Sequence, residues 1–444
     1  MGLDTVDSSL LELAHSGVLP PPRRRMAPGQ EIPRWIPYGV ACCSVLFCSG
    51  GLVCGVAPFG AQLVREGYIS EGQTSVIYTG AFNIVTWGTV MATHVNGRFG
   101  PRIAAAIGAV LAMGGHSALA VMPKPCSPYA IMVAFGLVGW GGNHMFLAAF
   151  SMSRLFPERM GLADGVISGL YNTCGFMTLL FNVPSVTIEL FFRVWVVVLV
   201  VHLLLVLVVY PDQAYEVGDH ATLTPPTLQY CKNLCSLSAY RQQLPQIRSL
   251  RYLLYVLTFA WTVAVGEYVI GEVSGGLYPE SLVGSAYVDW AISIVANGTI
   301  VISPLAGFLI DKTGFSLLSF ILLVACQLSL LCCGLHSSKW AAFANLPLLN
   351  VIQSFQYTMQ FSFMHKVVRE SAFDLGLLLV LVTQGLFGFV PNPGLNPNPW
   401  GEDKVTPLVV LALPTLVMFV FPANELRLLW AGRKGGLTQG SGMG

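Results

Sequence analysis

Charged side chains are scarce in this sequence. Only 10% of the 444 residues are Asp, Glu, Lys or Arg, whereas 54% are hydrophobic, and the mean hydropathy is +0.66. Soluble domains carry roughly 25% charged residues, because their surfaces face water. The composition therefore excludes an ordinary soluble domain and predicts that lipid surrounds most of the chain.

An excess of one charge sign is also lacking. The 23 basic and 22 acidic residues nearly cancel, which predicts no nucleic-acid partner. The eight histidines are dispersed, and most of the 11 cysteines lie inside apolar runs, where cysteine is usually a small hydrophobe. We therefore expect no catalytic residues, no metal site and no cofactor.

An apolar stretch near Met1, which a signal peptide would need, is missing as well. Residues 1–35 begin with a stretch that holds Asp4, Asp7 and Glu12, followed by a cluster of prolines and arginines at 20–25. We interpret this segment as a disordered cytoplasmic tail that precedes the first membrane span.

Long apolar runs are abundant. A helix needs about 17–25 mostly apolar residues to cross a bilayer. Twelve runs meet this requirement: 36–58, 74–94, 103–122, 128–151, 162–183, 190–210, 250–272, 286–310, 316–335, 340–364, 373–391 and 405–422. The sequence therefore predicts an all-α membrane protein with twelve transmembrane helices.

The longest polar gap between these runs separates the first six from the last six. The predicted organisation is a cytoplasmic tail at 1–35, a six-helix bundle at 36–210, a cytoplasmic linker at 211–249, a second six-helix bundle at 250–423 and a cytoplasmic tail at 424–444. With the N-terminus inside, 18 lysines and arginines fall on the cytoplasmic side and 5 on the other. The positive-inside rule favours this orientation, with both termini cytoplasmic.

The two predicted bundles repeat one pattern. Gly100 and Gly314 follow the second and eighth spans at an offset of 214 residues, and Gly161 and Gly376 follow the fourth and tenth at 215. The first and seventh spans start 214 residues apart. These shared offsets indicate a duplicated six-helix unit, an organisation typical of secondary transporters with a binding site between the halves.

The loop after the eighth span resembles the hallmark motif of the major facilitator superfamily. Gly307, Asp311, Lys312 and Gly314 match that motif, with Phe315 in place of a basic residue. The first copy retains Arg98, Gly100 and Arg102, but Gly97 replaces the usual aspartate. In the family this aspartate caps a neighbouring helix and helps latch one state, so the resemblance implies a weaker latch in the first half.

Two further resemblances refine this expectation. The segment from Arg159 to Gly165, which includes Asp164, is similar to the superfamily element after the fourth span. The segments 64–68, 98–102 and 141–143 resemble the sodium-independent system-L transporters of large neutral amino acids and their protist and fungal relatives. This resemblance implies facilitative uptake or exchange of neutral amino acids, without chemical change of the solute.

Polar groups inside apolar spans are costly in lipid, so they are candidates for a solute site. In the superfamily, spans one, four, seven and ten line the cavity. On span ten, the polar residues form one stripe at helical spacing, with Gln356 at its flank, and they are Asn350, Gln353, Tyr357 and Gln360. The stripe suits a polar or zwitterionic solute, whereas hydrogen bonding between helices is the structural alternative.

Candidate residues also occur on three other spans of this set. Asn143 and His144 on span four are candidates for solute contact, and His144 could also carry a proton or serve as a structural hydrogen-bonder. Glu267 on span seven lies in the outer third of the predicted bilayer, where it could bind an ammonium group, titrate during coupling, or simply reach the aqueous mouth. Ser49 on span one precedes two glycines, which indicates a loosened helix or close packing against span five.

Two polar features lie outside that set of spans. Tyr171 begins a polar cluster on span five, and Gln384 stands alone on span eleven.

These observations predict a membrane transporter that works by alternating access on a small organic solute, as a monomer in the plasma membrane. Neutral amino acids are the solute that the resemblance favours. Nucleobases or another small polar solute, a proton-coupled carrier and a non-transporting sensor on the same fold are the alternatives.

Overall fold

The computed structural model describes residues 30–70, 73–215, 219–223, 247–274, 277–284, 287–296, 298–368, 370–387 and 405–439. Within these ranges, eight helical stretches are long and apolar enough to cross a membrane. An all-helical, multi-pass membrane protein is therefore confirmed, whereas the count of twelve spans stays a prediction. The predicted tail at 1–29 and most of the predicted linker, 224–246, lie outside the described residues.

Six α-helices and intervening 3₁₀ segments form the first half. The α-helices are α1 (Trp35–Cys48), α2 (Val56–Arg65), α3 (Thr74–Ala120), α4 (Pro128–Ala149), α5 (Met160–Thr173) and α6 (Ile188–Val209). The 3₁₀ segments are Gly50–Gly55, Phe150–Leu155, Pro157–Arg159 and Cys174–Asn182. Predicted spans one and five therefore each change from α to 3₁₀ geometry along their length, while span four is α-helical through Ala149 and continues into a 3₁₀ segment at its inner end.

The break in span one coincides with close packing. A Cβ atom at Gly51 would lie 1.6 Å from the carbonyl oxygen of Tyr171, and one at Gly50 would lie 2.2 Å from Oδ1 of Asn143. Only glycine lets the backbone approach α4 and α5 this closely. The segment Gly50–Gly55 is thus tightly packed 3₁₀ helix rather than loosened chain.

Spans two and three were expected as separate helices, with a loop between 94 and 103. Two helical arms do follow each other within α3, and they are separated at Gly100, whose backbone is not helical and whose φ is +81°. Glycine adopts positive φ without the steric penalty of a Cβ atom. Pro101 follows directly and starts the second arm, because it cannot donate the backbone hydrogen bond that would continue the first.

Among the described residues, the second half contains eight α-helices and one π-helix. The α-helices are α7 (Leu250–Ser274), α8 (Glu280–Val283), α9 (Thr299–Thr313), α10 (Phe315–Gly334), α11 (Lys339–Val367), α12 (Glu370–Phe387), α13 (Val405–Val417) and α14 (Val420–Gln439). A π-helix at Tyr287–Ala296 forms the first part of predicted span eight. Helix α14 begins within the last predicted span and continues through Gln439, so the predicted tail at 424–444 is helical to that residue.

The halves meet where α5 packs against α9. Hypothetical Cβ atoms at Gly161, Gly165 and Gly169 would all come within 3 Å of atoms of α9. Without a hydrophobic driving force in lipid, helices associate through such close van der Waals packing. A row of glycines on α5 therefore joins the two bundles directly.

A short β-pair ties the start of the described chain to the linker. Strand β1 (Gln30–Glu31) pairs antiparallel with strand β2 (Thr222–Leu223). The backbone N–H of Ile32 extends the pair by donating to the carbonyl of Ala221 at 2.9 Å. The segment before α1 and the first part of the linker therefore lie together.

Candidate functional site

A small polar cavity lies between the two halves. Its volume is about 30 Å³, which holds roughly one water molecule. Polar residues line one part of it, and they are Thr86, Thr89, Asn143, Tyr171, Tyr357, Gln360 and Gln384. Apolar residues line the rest, and they are Phe82, Val85, Phe146, Leu147, Phe361 and Leu381.

Helical spacing explains why these residues share one cavity. On α3, Phe82, Val85 and Thr89 are separated by three and four residues, which places them on one face. On α11, Tyr357 and Phe361 are four residues apart. Each helix therefore turns one stripe toward the space between the halves.

Asn143 is the most constrained polar group of the cavity. Its Nδ2 donates to Oγ1 of Thr89 at 2.5 Å, and that hydroxyl donates in turn to the carbonyl of Val85 at 2.7 Å. Oδ1 of Asn143 faces the backbone of Gly50 and lies near the side chain of Tyr171. The arrangement fixes the amide between helices at the edge of the cavity.

The predicted stripe on α11 divides into two parts. Tyr357 and Gln360 line the cavity, and Nε2 of Gln360 is a buried donor without a hydrogen bond among the described residues. Asn350 instead donates from Nδ2 to the carbonyl of Val295 at 2.5 Å and accepts from Ser354 at 3.0 Å. The structural alternative, hydrogen bonding between helices, therefore describes Asn350.

Gln353 and Gln356 do not line the cavity either. Both are buried, and the Oε1 atom of each has no hydrogen bond in the ranges the structure describes. The side chain of Gln356 faces α7, because Oε1 lies 3.5 Å from a Cβ atom built on Gly266. The stripe continues past the cavity along the contact between α11 and α7.

His144 and Ser49 also stand apart from the cavity lining. The helix turns about 100° between Asn143 and His144, and the Cβ atom of His144 lies 2.6 Å from a Cβ atom built on Gly108 of α3. Ser49 donates from Oγ to the carbonyl of Tyr171 at 3.3 Å. The structure thus separates His144 from Asn143, with which it was grouped, and gives Ser49 a packing role.

Glu267 lies close to residues of both halves. The amide of Gln384 lies beside its carboxyl group, and Cys54, Tyr78 and Tyr357 are within electrostatic reach of it. The side chain keeps some accessible surface, although residues of both halves surround it. Through Gln384, which lines the cavity, Glu267 adjoins the polar site.

Asp311 joins the halves at one end of the α5–α9 contact. Its carboxylate oxygens accept from the backbone N–H groups of Gly161 at 3.3 Å and Leu162 at 3.1 Å, at the start of α5. Nζ of Lys366 lies 2.5 Å from Oδ1. Anions are stabilised at helix N-termini, so Asp311 caps a helix of the opposite half, as the resemblance implies.

The first copy of the loop makes a different set of contacts. Nε of Arg102 donates to the carbonyl of Tyr210 at 2.6 Å, and its guanidinium lies 2.7 Å from the carboxylate of Asp212. Burial of the guanidinium holds the pKa of Arg102 below its ordinary value, and the negative charge of Asp212 offsets part of this decrease. A Cβ atom at Gly100 would lie 1.8 Å from the carbonyl oxygen of Asp212. This loop is therefore bound to the residues that follow α6, within its own half.

The remaining predicted loop residues take separate positions. Gly314 has a φ of +75° and links α9 to α10. Lys312 is exposed, with Nζ 5.8 Å from the centre of the Phe308 ring. Arg159 is exposed and Arg98 is partly exposed. Asp164 is fully buried, and its Oδ2 lies 2.9 Å from Nδ1 of His365.

Sequence reasoning missed part of this site. Thr86 and Thr89 were not selected, because hydroxyls within an apolar helix usually bond to their own backbone, as Thr89 also does. His365 was missed because its partner Asp164 is 201 residues away in the sequence. Tyr171 was visible only as the start of a polar cluster on span five, and Gln384 only as a single polar residue on span eleven.

Comparisons with known proteins agree on the fold. No protein-family model matches the chain. The structure is similar to the crystal structure of the peptide transporter POT, with a TM-score of 0.56 at 13% identity, covering 90% of this chain and 100% of that one. It is also similar to the proton:xylose symporter XylE, with a TM-score of 0.60 at 13% identity, covering 87% and 94%. The chain therefore has the fold of the major facilitator superfamily.

One curated protein shares sequence with part of the chain. Protein FMP42 of Saccharomyces cerevisiae (strain ATCC 204508 / S288c) is 21% identical over 214 residues. The match spans 42% of this chain and 42% of the yeast protein. It leaves more than half of either protein unmatched.

Proposed function

We propose that this protein is a carrier of small organic solutes that works by alternating access, with neutral amino acids as its solute. The observation that supports the proposal is a polar cavity enclosed between the two halves of a major facilitator fold. In carriers built from repeats, such a position between the halves is where solutes bind. We further propose twelve spans, a monomer, and a plasma-membrane location with both termini cytoplasmic.

The cavity and the neighbouring Glu267 together offer a partner for each part of a neutral amino acid. The carboxyl group of Glu267, next to Gln384, suits the ammonium group. Lysine and arginine are absent from the cavity lining that the structure describes, so neutral donors such as Nε2 of Gln360 would bind the carboxylate. Phe82, Phe146 and Leu381 supply an apolar surface for the side chain.

The size of the cavity bears on the transport cycle. A cavity with room for about one water molecule is too small to hold an amino acid. The halves must therefore move apart at one end before a solute enters. Rocking of the two bundles about the contact between α5 and α9 is the motion that the fold favours.

Uptake into proteoliposomes tests the proposal. Purified protein is reconstituted, and entry of labelled leucine, phenylalanine and adenine is measured with and without a pH gradient. Saturable entry of leucine or phenylalanine is the expected result. Failure of all three solutes to enter would reject the neutral amino acid proposal.

Nucleobases are the second candidate, because the amides of Asn143, Gln360 and Gln384 can pair with a base edge as well as with a zwitterion. Uptake of adenine without uptake of leucine would favour this alternative. Binding of a solute without flux would instead indicate a sensor on the same fold.

Proton coupling is an independent alternative that rests on Glu267, a carboxyl group close to residues of both halves. An imposed pH gradient would then accelerate solute entry, and Glu267→Gln would abolish the acceleration. Unchanged entry on imposing the gradient would reject coupling.

A further inference from the structure

A buried acid–base contact joins the halves near the cavity. Nδ1 of His365 on α11 lies 2.9 Å from Oδ2 of Asp164 on α5. The side chains are 2% and 0% exposed. The contact therefore links the first half to the second inside the protein, out of reach of bulk water.

An aromatic stack lies between this contact and the cavity. The rings of Phe150 and Phe361, one from each half, are stacked with centroids 3.6 Å apart. Phe361 lines the cavity, and the Phe150 ring lies 6.3 Å from the His365 ring. Separating the halves at this end would break the stack and the Asp164–His365 contact together.

Other charged and titratable groups lie close to this contact. Lys366 and Asp311 pair with each other at 2.5 Å. Tyr38 on α1 donates its hydroxyl to the carbonyl of Ala163 at 2.9 Å and lies within electrostatic reach of Asp164. Within the described residues, Asp164 forms a direct hydrogen bond with His365.

We propose that Asp164 and His365 form a proton-sensitive latch, which favours closure of this end of the carrier at acidic pH. The inference rests on the proposed transport function, because it assigns a regulation to the same cavity. Histidine is the side chain that ordinarily changes charge between about pH 5 and 8. An ionised carboxylate buried without a counter-charge is costly, and a proton on His365 supplies that charge.

The direction follows from linkage. Opening separates the imidazolium from the carboxylate and removes their attraction. Protons and closure therefore stabilise each other. The extra closure is present at acidic pH and is lost at alkaline pH. A neutral imidazole can still donate one hydrogen bond, so the latch weakens without vanishing.

Distance measurements between spin labels test the latch. Labels at Glu158→Cys and Thr313→Cys, two exposed positions in opposite halves, report opening in a background whose native cysteines are replaced. Replacing a charge-assisted hydrogen bond by a neutral one lowers the equilibrium constant for closure about fivefold. We therefore expect the closed-to-open ratio to fall about fivefold from about pH 5.5 to about pH 8.

Three variants make the test specific. His365→Gln should give a ratio that does not change with pH, whereas His365→Lys should keep this end closed at both pH values. His202→Gln is the matched control, because His202 is equally buried but contacts Ser44 within the first half. The control should retain the pH dependence of the wild type.

Two results would overturn the latch: a wild-type ratio that is constant over this pH range, or an unchanged pH response in His365→Gln. Solute uptake is measured on the same proteoliposomes. If the distances depend on pH but no solute enters, the proposed function is rejected and the latch is retained. If solute enters but the distances are constant, the latch is rejected and the proposed function is retained.

Discussion

The two copies of the loop motif, 97–102 and 307–314, share a sequence pattern but bind different partners. In the second copy, Asp311 crosses to the other half and caps α5. In the first copy, Gly97 takes that position, and Arg102 binds Asp212 within its own half. A glycine with positive φ therefore occurs in both copies, while the carboxylate that connects the halves is present in one.

The comparison shows that the absence of one carboxylate changes which residues the motif contacts. Arg102 is 2% exposed and needs an anionic partner. The chain supplies Asp212, which follows α6 and lies outside the motif. The first loop consequently stabilises one bundle, and the second loop holds the two bundles together.

Removing Asp212 should have the largest effect on this comparison. Asp212→Ala deprives the buried Arg102 of its nearest carboxylate, and breaking a buried ion pair costs about 3 kcal/mol. We expect the free energy of unfolding of the purified protein to fall by about that amount in a thermal or denaturant melt. The distance between labels at Glu158→Cys and Thr313→Cys should stay unchanged, and a change there would show that the first loop also connects the halves.

Removing Asp311 should affect the contact between the halves rather than folding stability, and its energetic effect should be smaller than that of Asp212→Ala. Asp311→Ala deletes charge-assisted hydrogen bonds to the start of α5, worth about 2 kcal/mol. We expect the closed end to open in the spin-label measurement, with little loss of folding stability. If unfolding changes and the label distance does not, the cross-half role of Asp311 is wrong.

Restoring the aspartate in the first copy should have the smallest effect. Gly97 is exposed, and by the offset of 214 it corresponds to Asp311. Gly97→Asp should strengthen closure by less than about 1 kcal/mol, the usual value of an anion near a helix N-terminus. An unaltered balance between inward and outward states in an accessibility assay would contradict the weaker-latch hypothesis.

Much of the fold follows from sequence, because long apolar runs and repeated glycines are local signals. The interruption at Gly100 and the capping by Asp311 follow from motif residues that stand next to each other. The 3₁₀ geometry of Gly50–Gly55 does not, because it accompanies close packing against helices that are distant in the sequence. The π-helix Tyr287–Ala296 also has no signal in the sequence pattern.

The site was predictable only in part for the same reason. Asn143, Tyr357 and Gln360 are conspicuous as polar residues in apolar spans, and the structure brings them together at the cavity. Whether Asn350 or Gln360 faces that cavity depends on where α9 and α7 cross α11, which periodicity alone does not determine. The Asp164–His365 contact joins residues 201 positions apart and has no local signal.

Leucine uptake by two matched glutamine variants tests the central claim most directly. Gln360 lines the cavity, whereas Gln327 donates from Nε2 to the carbonyl of Ala412 at 2.8 Å, away from it. Loss of one well-placed hydrogen bond is worth about 1.4 kcal/mol, so Gln360→Ala should lower uptake about tenfold at equal protein level. Gln327→Ala should retain wild-type uptake. Equal uptake by Gln360→Ala and the wild type would contradict the assignment of this cavity as the solute site.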